Sequence, residues 1–104
     1  MLPFTATLYG NPSMKALPAQ TSSYKRTPEF TNETVPKGLL RAHQTKEGTW
    51  GKIVVLEGQL RYRILEPDLE VLDLSTEKYG VVEPTILHEV EPLGEVRFYV
   101  EFYR

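Results

Sequence analysis

Trp50-Gly51-Lys52-Ile53-Val54-Val55-Leu56-Glu57-Gly58-Gln59-Leu60-Arg61-Tyr62-Arg63-Ile64-Leu65 is the stretch that decides the fold. Residues 50–56 form an apolar run rich in β-branched side chains, of the kind that suits burial inside a sheet. In residues 59–65, Leu60, Tyr62 and Ile64 alternate with Gln59, Arg61 and Arg63. A period of two places the first set on one face of a strand and the second on the other. Glu57-Gly58 separates the two runs, and so short a connection predicts a hairpin.

The same grammar extends in both directions. Residues 96–103 alternate again, with Val96, Phe98, Val100 and Phe102 against Arg97, Tyr99, Glu101 and Tyr103. Pro92-Leu93-Gly94 predicts a turn ahead of them, and a strand around His88 ahead of that. Glu66-Pro67-Asp68 predicts a turn into a strand at 71–74, followed by a loop or a single helical turn at 75–80. Upstream, residues 39–44 read as a strand with Leu39, Arg41 and His43 on one face. It lies between the turn signals Pro36-Lys37-Gly38 and Lys46-Glu47-Gly48. Residues 24–30 read as an edge strand interrupted by Pro28. No helix of ordinary length is visible. Seven or eight short strands with turn signals between them predict an all-β sandwich or barrel.

The chain has 104 residues, enough for one domain with one core. Residues 1–23 hold Pro3, Gly10, Pro12 and Pro18 without a sustained apolar period. They read as an extended N-terminal arm, which leaves residues 24–104 as the folded domain. The formal charge of −2 gives no field that draws the chain to nucleic acid or anionic lipid. The absence of cysteine removes disulfides, thiolate metal sites and thiol nucleophiles. No run approaches the ~20 apolar residues that span a bilayer. Met1-Leu2-Pro3-Phe4 lacks the basic start and apolar run of a secretion signal, so the expected compartment is the cytoplasm.

Only two histidines are present, His43 and His88, each beside a strand. Neutral imidazole is the commonest protein ligand for transition metals. If the two rings meet, Glu101 is the expected third ligand, because it shares a polar face with Arg97 and Tyr99 on the closing strand; Glu47 and Glu83 are weaker substitutes. Two imidazoles and a carboxylate suit zinc, iron, manganese or nickel as a divalent cofactor. The bland reading makes His43 a solvated strand-end residue and packs His88 with Ile86 and Val90. Trp50, Tyr62, Tyr99 and Tyr103 are candidates to line a pocket, although aromatics in sheets more often pair or fill cores. Arg41, with Arg61 and Arg63, has the planar fork that grips oxyanions, against the plainer reading of a solvated face paired with Glu and Asp. Glu89 and Glu91 alternate away from His88 and predict a charged outer face. No Gly-x-Ser-x-Gly elbow or Ser-His-Asp spacing points to a nucleophilic hydrolase.

Several segments carry a resemblance. They are Tyr24-Lys25-Arg26-Thr27-Pro28-Glu29-Phe30, Val35-Pro36-Lys37-Gly38-Leu39-Leu40, His43-Gln44-Thr45-Lys46-Glu47-Gly48-Thr49-Trp50-Gly51, Val55-Leu56-Glu57-Gly58, His88-Glu89-Val90-Glu91-Pro92-Leu93-Gly94 and Phe98-Tyr99-Val100-Glu101-Phe102. Together they resemble the TehB/YeaR-like domain, a small cupin-like family tied by name to tellurite resistance. The resemblance implies a double-stranded β-helix, or jelly roll, and a homodimer. Some relatives fuse this domain to a methyltransferase. No Gly-rich nucleotide-binding loop follows here, so methyl transfer is not expected of this chain. The sequence departs from the wider cupin pattern: His43 is the only histidine of the first block, and Gly51 stands where that pattern has glutamate. His88 does match the later histidine.

These readings converge on a cytoplasmic, metal-binding, cupin-like stress protein that takes a small molecule or oxyanion at a His43–His88–Glu101 site. The alternatives are a metal-dependent enzyme of oxygenase or isomerase type, and a metal-free dimeric interaction module.

Overall fold

The computed structural model describes residues 15–104. Six strands form one antiparallel sheet: β1 (Ser23–Arg26), β2 (Phe30–Thr31), β3 (Trp50–Ile64), β4 (Glu70–Leu74), β5 (Gly80–Val82) and β6 (His88–Tyr103). A 3₁₀ turn, Lys37–Leu40, is the one helical element among the described residues. The all-β expectation therefore holds. Of the expected arm, residues 1–14 lie outside the described residues. Residues 15–22 run up to β1, with Ser22 exchanging backbone hydrogen bonds with Arg104.

The predicted hairpin at Glu57-Gly58 does not form. β3 passes straight through it and stays paired with β6 from Trp50↔Tyr103 to Ile64↔His88. The register slips between Val55 and Glu57 and again between Gly58 and Leu60. Burial records the slip: Gly51, Ile53 and Val55 are inward before it, Leu60, Tyr62 and Ile64 after it. An odd-to-even change of this kind is what an inserted residue does to a strand of period two. Pro92-Leu93-Gly94, read as a turn, is likewise the facing kink in β6. The sequence carried real breaker signals at both sites, but they bend two long strands instead of ending them.

Gly58 is required at this bend. Its φ is +79°, and a Cβ there would lie 2.0 Å from the Glu95 carbonyl oxygen. Neither condition suits a side chain.

The bend folds the sheet over on itself. β1 and β2 pair with the C-terminal half of β6, and β5 pairs with the first half of β3. β4 pairs with the second half of β3. Yet Tyr62, from the second half, donates its hydroxyl to the Val81 carbonyl of β5 at 2.9 Å. The two halves thus face each other across one core built on Ile53, Leu60, Tyr62, Leu74, Val82 and Phe98. Phe98 and Tyr62 are fully buried, and burial of each such side chain stabilises the fold by roughly 1.5–3 kcal/mol. Phe30 meets Phe98 edge to face at 5.7 Å, tying the short β2 to that core.

Outward residues carry the charges. Arg61 grips Asp73 with two hydrogen bonds, 2.8 and 3.1 Å. Arg63 pairs with Glu89 and Glu91, and Arg97 with Glu29 and Glu57. Arg61 and Arg63 therefore follow the plainer reading of a solvated, paired face. No helix among the described residues is long and apolar enough to cross a membrane.

Candidate functional site

His88 opens β6 on its inward face, in register with Ile64 and two residues from Val90. His43 does not belong to a strand over 39–44. Leu39 and Leu40 sit in the 3₁₀ turn instead, and the chain then touches β6 at a single point. There the His43 N–H donates to the His88 carbonyl and the His88 N–H to the His43 carbonyl, both at 2.9 Å. This reciprocal bridge holds the rings in contact, with centroids 4.0 Å apart and planes tilted by 56°.

The ring tautomers follow from the partners. Each Nδ1 lies 2.9 Å from the carbonyl oxygen two residues earlier, Arg41 for His43 and Ile86 for His88. A carbonyl only accepts, so each Nδ1 carries a proton, and in a neutral ring Nε2 keeps its lone pair. His88 is 4% exposed, with the Tyr62 ring edge-on at 5.8 Å. Burial pulls its pKa down to about 4; the bond to Ile86 opposes this shift and neighbouring His43 adds to it. The imidazole of His88 is neutral at physiological pH.

Both rings line a cavity of about 550 Å³. Its walls are the inward apolar residues of the C-terminal half of β6, Phe98, Val100 and Phe102, with Ile53 and Val82 opposite. Gly51 leaves space where a side chain would meet Val82 at 3.3 Å. The 3₁₀ turn contributes Leu39. Lys25, Lys46 and Arg104 are the charged side chains on the lining, and no carboxylate lies there. Lys25 and Lys46 form no ion pair among the described residues.

The structure brings His43 and His88 together and leaves Glu101 apart. Glu101 stands on the outward face opposite Lys52, where it accepts from the Ser23 hydroxyl at 2.7 Å and the Tyr103 hydroxyl at 3.3 Å. Glu47 is exposed in a turn and Glu83 meets Thr45 only through its carbonyl. Among the described residues no three His, Asp or Glu side chains converge in a way that holds a metal ion. The aromatic candidates are also elsewhere. Tyr62 is core, its phenol held firmly protonated by burial. Tyr99 lies under the Arg26 guanidinium, 3.9 Å from the ring centroid, on the outward face. Trp50 pairs outward with Tyr103, and Arg41 is exposed.

The cavity walls contributed by β6 are visible in the sequence only as the shared apolar face of Phe98, Val100 and Phe102. Period two says which side chains share a face, not whether another layer fills the space in front of them. Half-burial of Val100 and Phe102, on a face whose other members are buried, is the structural sign of that space.

Fold and site define a small all-β domain in which a bent antiparallel sheet encloses an apolar cavity with two facing histidines. Residues 25–100 match the model of the TehB-like domain, and the chain belongs to that family. The chain is 36% identical over 76 residues to the probable S-adenosyl-L-methionine-dependent methyltransferase TehB of Haemophilus influenzae strain Rd, and 34% identical to that of strain 10810. The match covers 69% of this chain but 27% of each of those proteins, so the chain spans about a quarter of their length. The crystal structure of Haemophilus influenzae TehB superposes with a TM-score of 0.76 at 32% identity, over 82% of this chain and 32% of that one. A structure from Escherichia coli K12 shares the fold, with a TM-score of 0.79 at 20% identity over 88% and 97% of the two chains.

These relationships, together with the donor geometry, overturn the expectation of a metal-binding cupin. The relatives carry a methyltransferase name, and the third ligand that metal chemistry needs faces away from the histidines.

Proposed function

We propose that this domain is the accessory β module of a TehB-type, S-adenosylmethionine-dependent methyl-transfer system. The observation that carries the reading is the 36% identity to a TehB of which the matched segment is only 27%. A piece that small points to a part with its own task inside a larger enzyme. The site chemistry separates that task from holding the methyl donor. S-Adenosylmethionine bears a positive sulfonium and an ammonium group beside one carboxylate. A cavity whose charged lining residues are Lys25, Lys46 and Arg104, without a carboxylate, gives its two cationic groups no counter-charge. The absence of cysteine suits a reducing compartment, and we place the module in the cytoplasm.

A chimera tests the reading. Residues 25–100 replace the matching segment of Haemophilus influenzae TehB, beside a variant with that segment deleted. Methyl transfer is followed by formation of S-adenosylhomocysteine. The expected result is activity in the chimera that the deletion lacks. A folded chimera no more active than the deletion refutes the proposal.

A further inference from the structure

The cavity combines three chemical features not accounted for by methyl transfer. It is walled by Phe98, Val100, Phe102, Ile53 and Val82 and is large enough for a small organic molecule, within the roughly 300–1,000 Å³ of ordinary ligand sites. His43 and His88 each spend the Nδ1 proton on a backbone carbonyl, so the neutral, buried His88 offers only an acceptor, Nε2. Among the described residues no hydrogen bond reaches either Nε2 and no buried polar side-chain atom is left unsatisfied, so these nitrogens keep access to open space. The exposed cations Lys25, Lys46 and Arg104 supply the charge on the lining. Arg104 is already seated on Tyr24, 3.9 Å from the ring centroid, whereas Lys25 and Lys46 have no acidic partner among the described residues.

We propose that this cavity binds a small organic acid with an apolar, aryl-sized body and a hydroxyl donor, the hydroxyl bonded to Nε2 of His43 or His88 and the acid group set against Lys25 and Lys46. The two ends are not interchangeable. A carboxylate at the imidazoles would meet the acceptor Nε2 of His88, and a hydroxyl among the lysines would leave the cations unmatched. An ammonium ligand is excluded by the same lysines. The site is independent of the methyl-transfer reading, and either can fail while the other stands.

Amide chemical-shift mapping on the full chain tests it with three probes of one shape: para-hydroxyphenylpropanoate, phenylpropanoate and tyramine. The hydroxy acid is expected to shift the amides of Gly51, Val82, Phe98 and Val100. Loss of its hydroxyl is expected to weaken binding about tenfold, and exchange of the acid for an amine by at least as much. The doubly substituted Lys25→Gln, Lys46→Gln protein should weaken both acids while leaving the neutral phenol para-cresol unchanged. Val100→Phe should exclude every probe. Equal binding of tyramine and the hydroxy acid, indifference to the hydroxyl, shifts centred elsewhere, or no binding of any probe each overturns the proposal. The wild-type map decides this even if Val100→Phe does not fold.

Discussion

Replacing Gly58 by alanine tests the central feature of the fold, the bend that folds two paired strands over on themselves. Two costs add at this position. With φ at +79°, an L side chain sits in the left-handed region, which costs roughly 1–2 kcal/mol. The new Cβ also falls 2.0 Å from the Glu95 oxygen and 3.0 Å from the Val96 Cα. The facing backbone of β6 must move, and overpacking of that order costs roughly 1–3 kcal/mol. Lower entropy of the unfolded chain returns about 0.4–1 kcal/mol. The net loss is roughly 2–4 kcal/mol, a large share of the 5–15 kcal/mol typical of a domain. Gly94 supplies the control. Its φ is +92°, but no atom lies within 4 Å of its Cβ position, so Gly94→Ala should cost only about 1 kcal/mol. Urea unfolding followed by circular dichroism measures both. In melting temperature the expectation is a drop of roughly 10–25 °C for Gly58→Ala and about 5 °C for Gly94→Ala. If Gly58→Ala loses no more stability than Gly94→Ala, the strands do not approach each other at the bend and the folded-over sheet is wrong.

Four further outcomes follow from the same contacts. His88 is held neutral in the fold with a pKa of about 4, against 6.5 when exposed; the unfolded chain binds the extra proton between those values, so stability is full above pH 6.5 and falls by about 3 kcal/mol as pH drops towards 4. His88→Gln should flatten that slope in denaturant titrations run across the range, and an unchanged slope would place the acid sensitivity elsewhere. Tyr62→Phe removes the 2.9 Å bond to the Val81 carbonyl and should cost about 1 kcal/mol in the same assay, whereas no loss would mean that this bond does not tie the halves together. Because Glu101 faces away from the histidines, EDTA should leave the melting temperature within about 1 °C; a larger fall would reveal metal-linked stability. The homodimer implied by the family resemblance is proposed to form along β4, a strand paired only with β3 among the described residues, where Leu69 and Val71 are 67% and 50% exposed. Val71→Lys should then convert the particle to a monomer in sedimentation equilibrium, and an unaltered dimer would move the interface elsewhere.

Period-two patterning carried the fold a long way. The alternation of Leu60, Tyr62 and Ile64 with arginines, and of Val96 and Phe98 with Arg97 and Tyr99, marks inward and outward faces as the structure has them. It failed at Glu57-Gly58 and Pro92-Leu93-Gly94, for one physical reason. A glycine with positive φ serves a hairpin and a bulge equally well, and the choice depends on which strand lies opposite. Here the partner of residues 50–64 is a segment about forty residues away, which no local signal reports. The segment around His43 failed differently: Leu39 and Leu40 look like strand residues, but the turn wins locally because β6 is met at one bridge rather than along a ladder.

The site was legible only as far as single residues are. That His43 and His88 are the chemically distinctive pair could be read directly, because they are the chain's two histidines. Their third partner could not, since Glu101 was chosen by the polarity of its strand face, and that polarity is what sends it outward, to Ser23 and Tyr103. The same alternation that puts Glu101 outside puts Phe98, Val100 and Phe102 inside, toward the histidines. A carboxylate on that strand can reach the imidazoles only by leaving the face its neighbours define, and the vacancy at Gly51, where the cupin pattern has an acid, leaves β3 unable to supply one either. The fold therefore keeps the neutral acceptor of His88 beside His43 in an apolar enclosure, an arrangement that favours hydrogen-bond donors and gives no counter-charge to a cation.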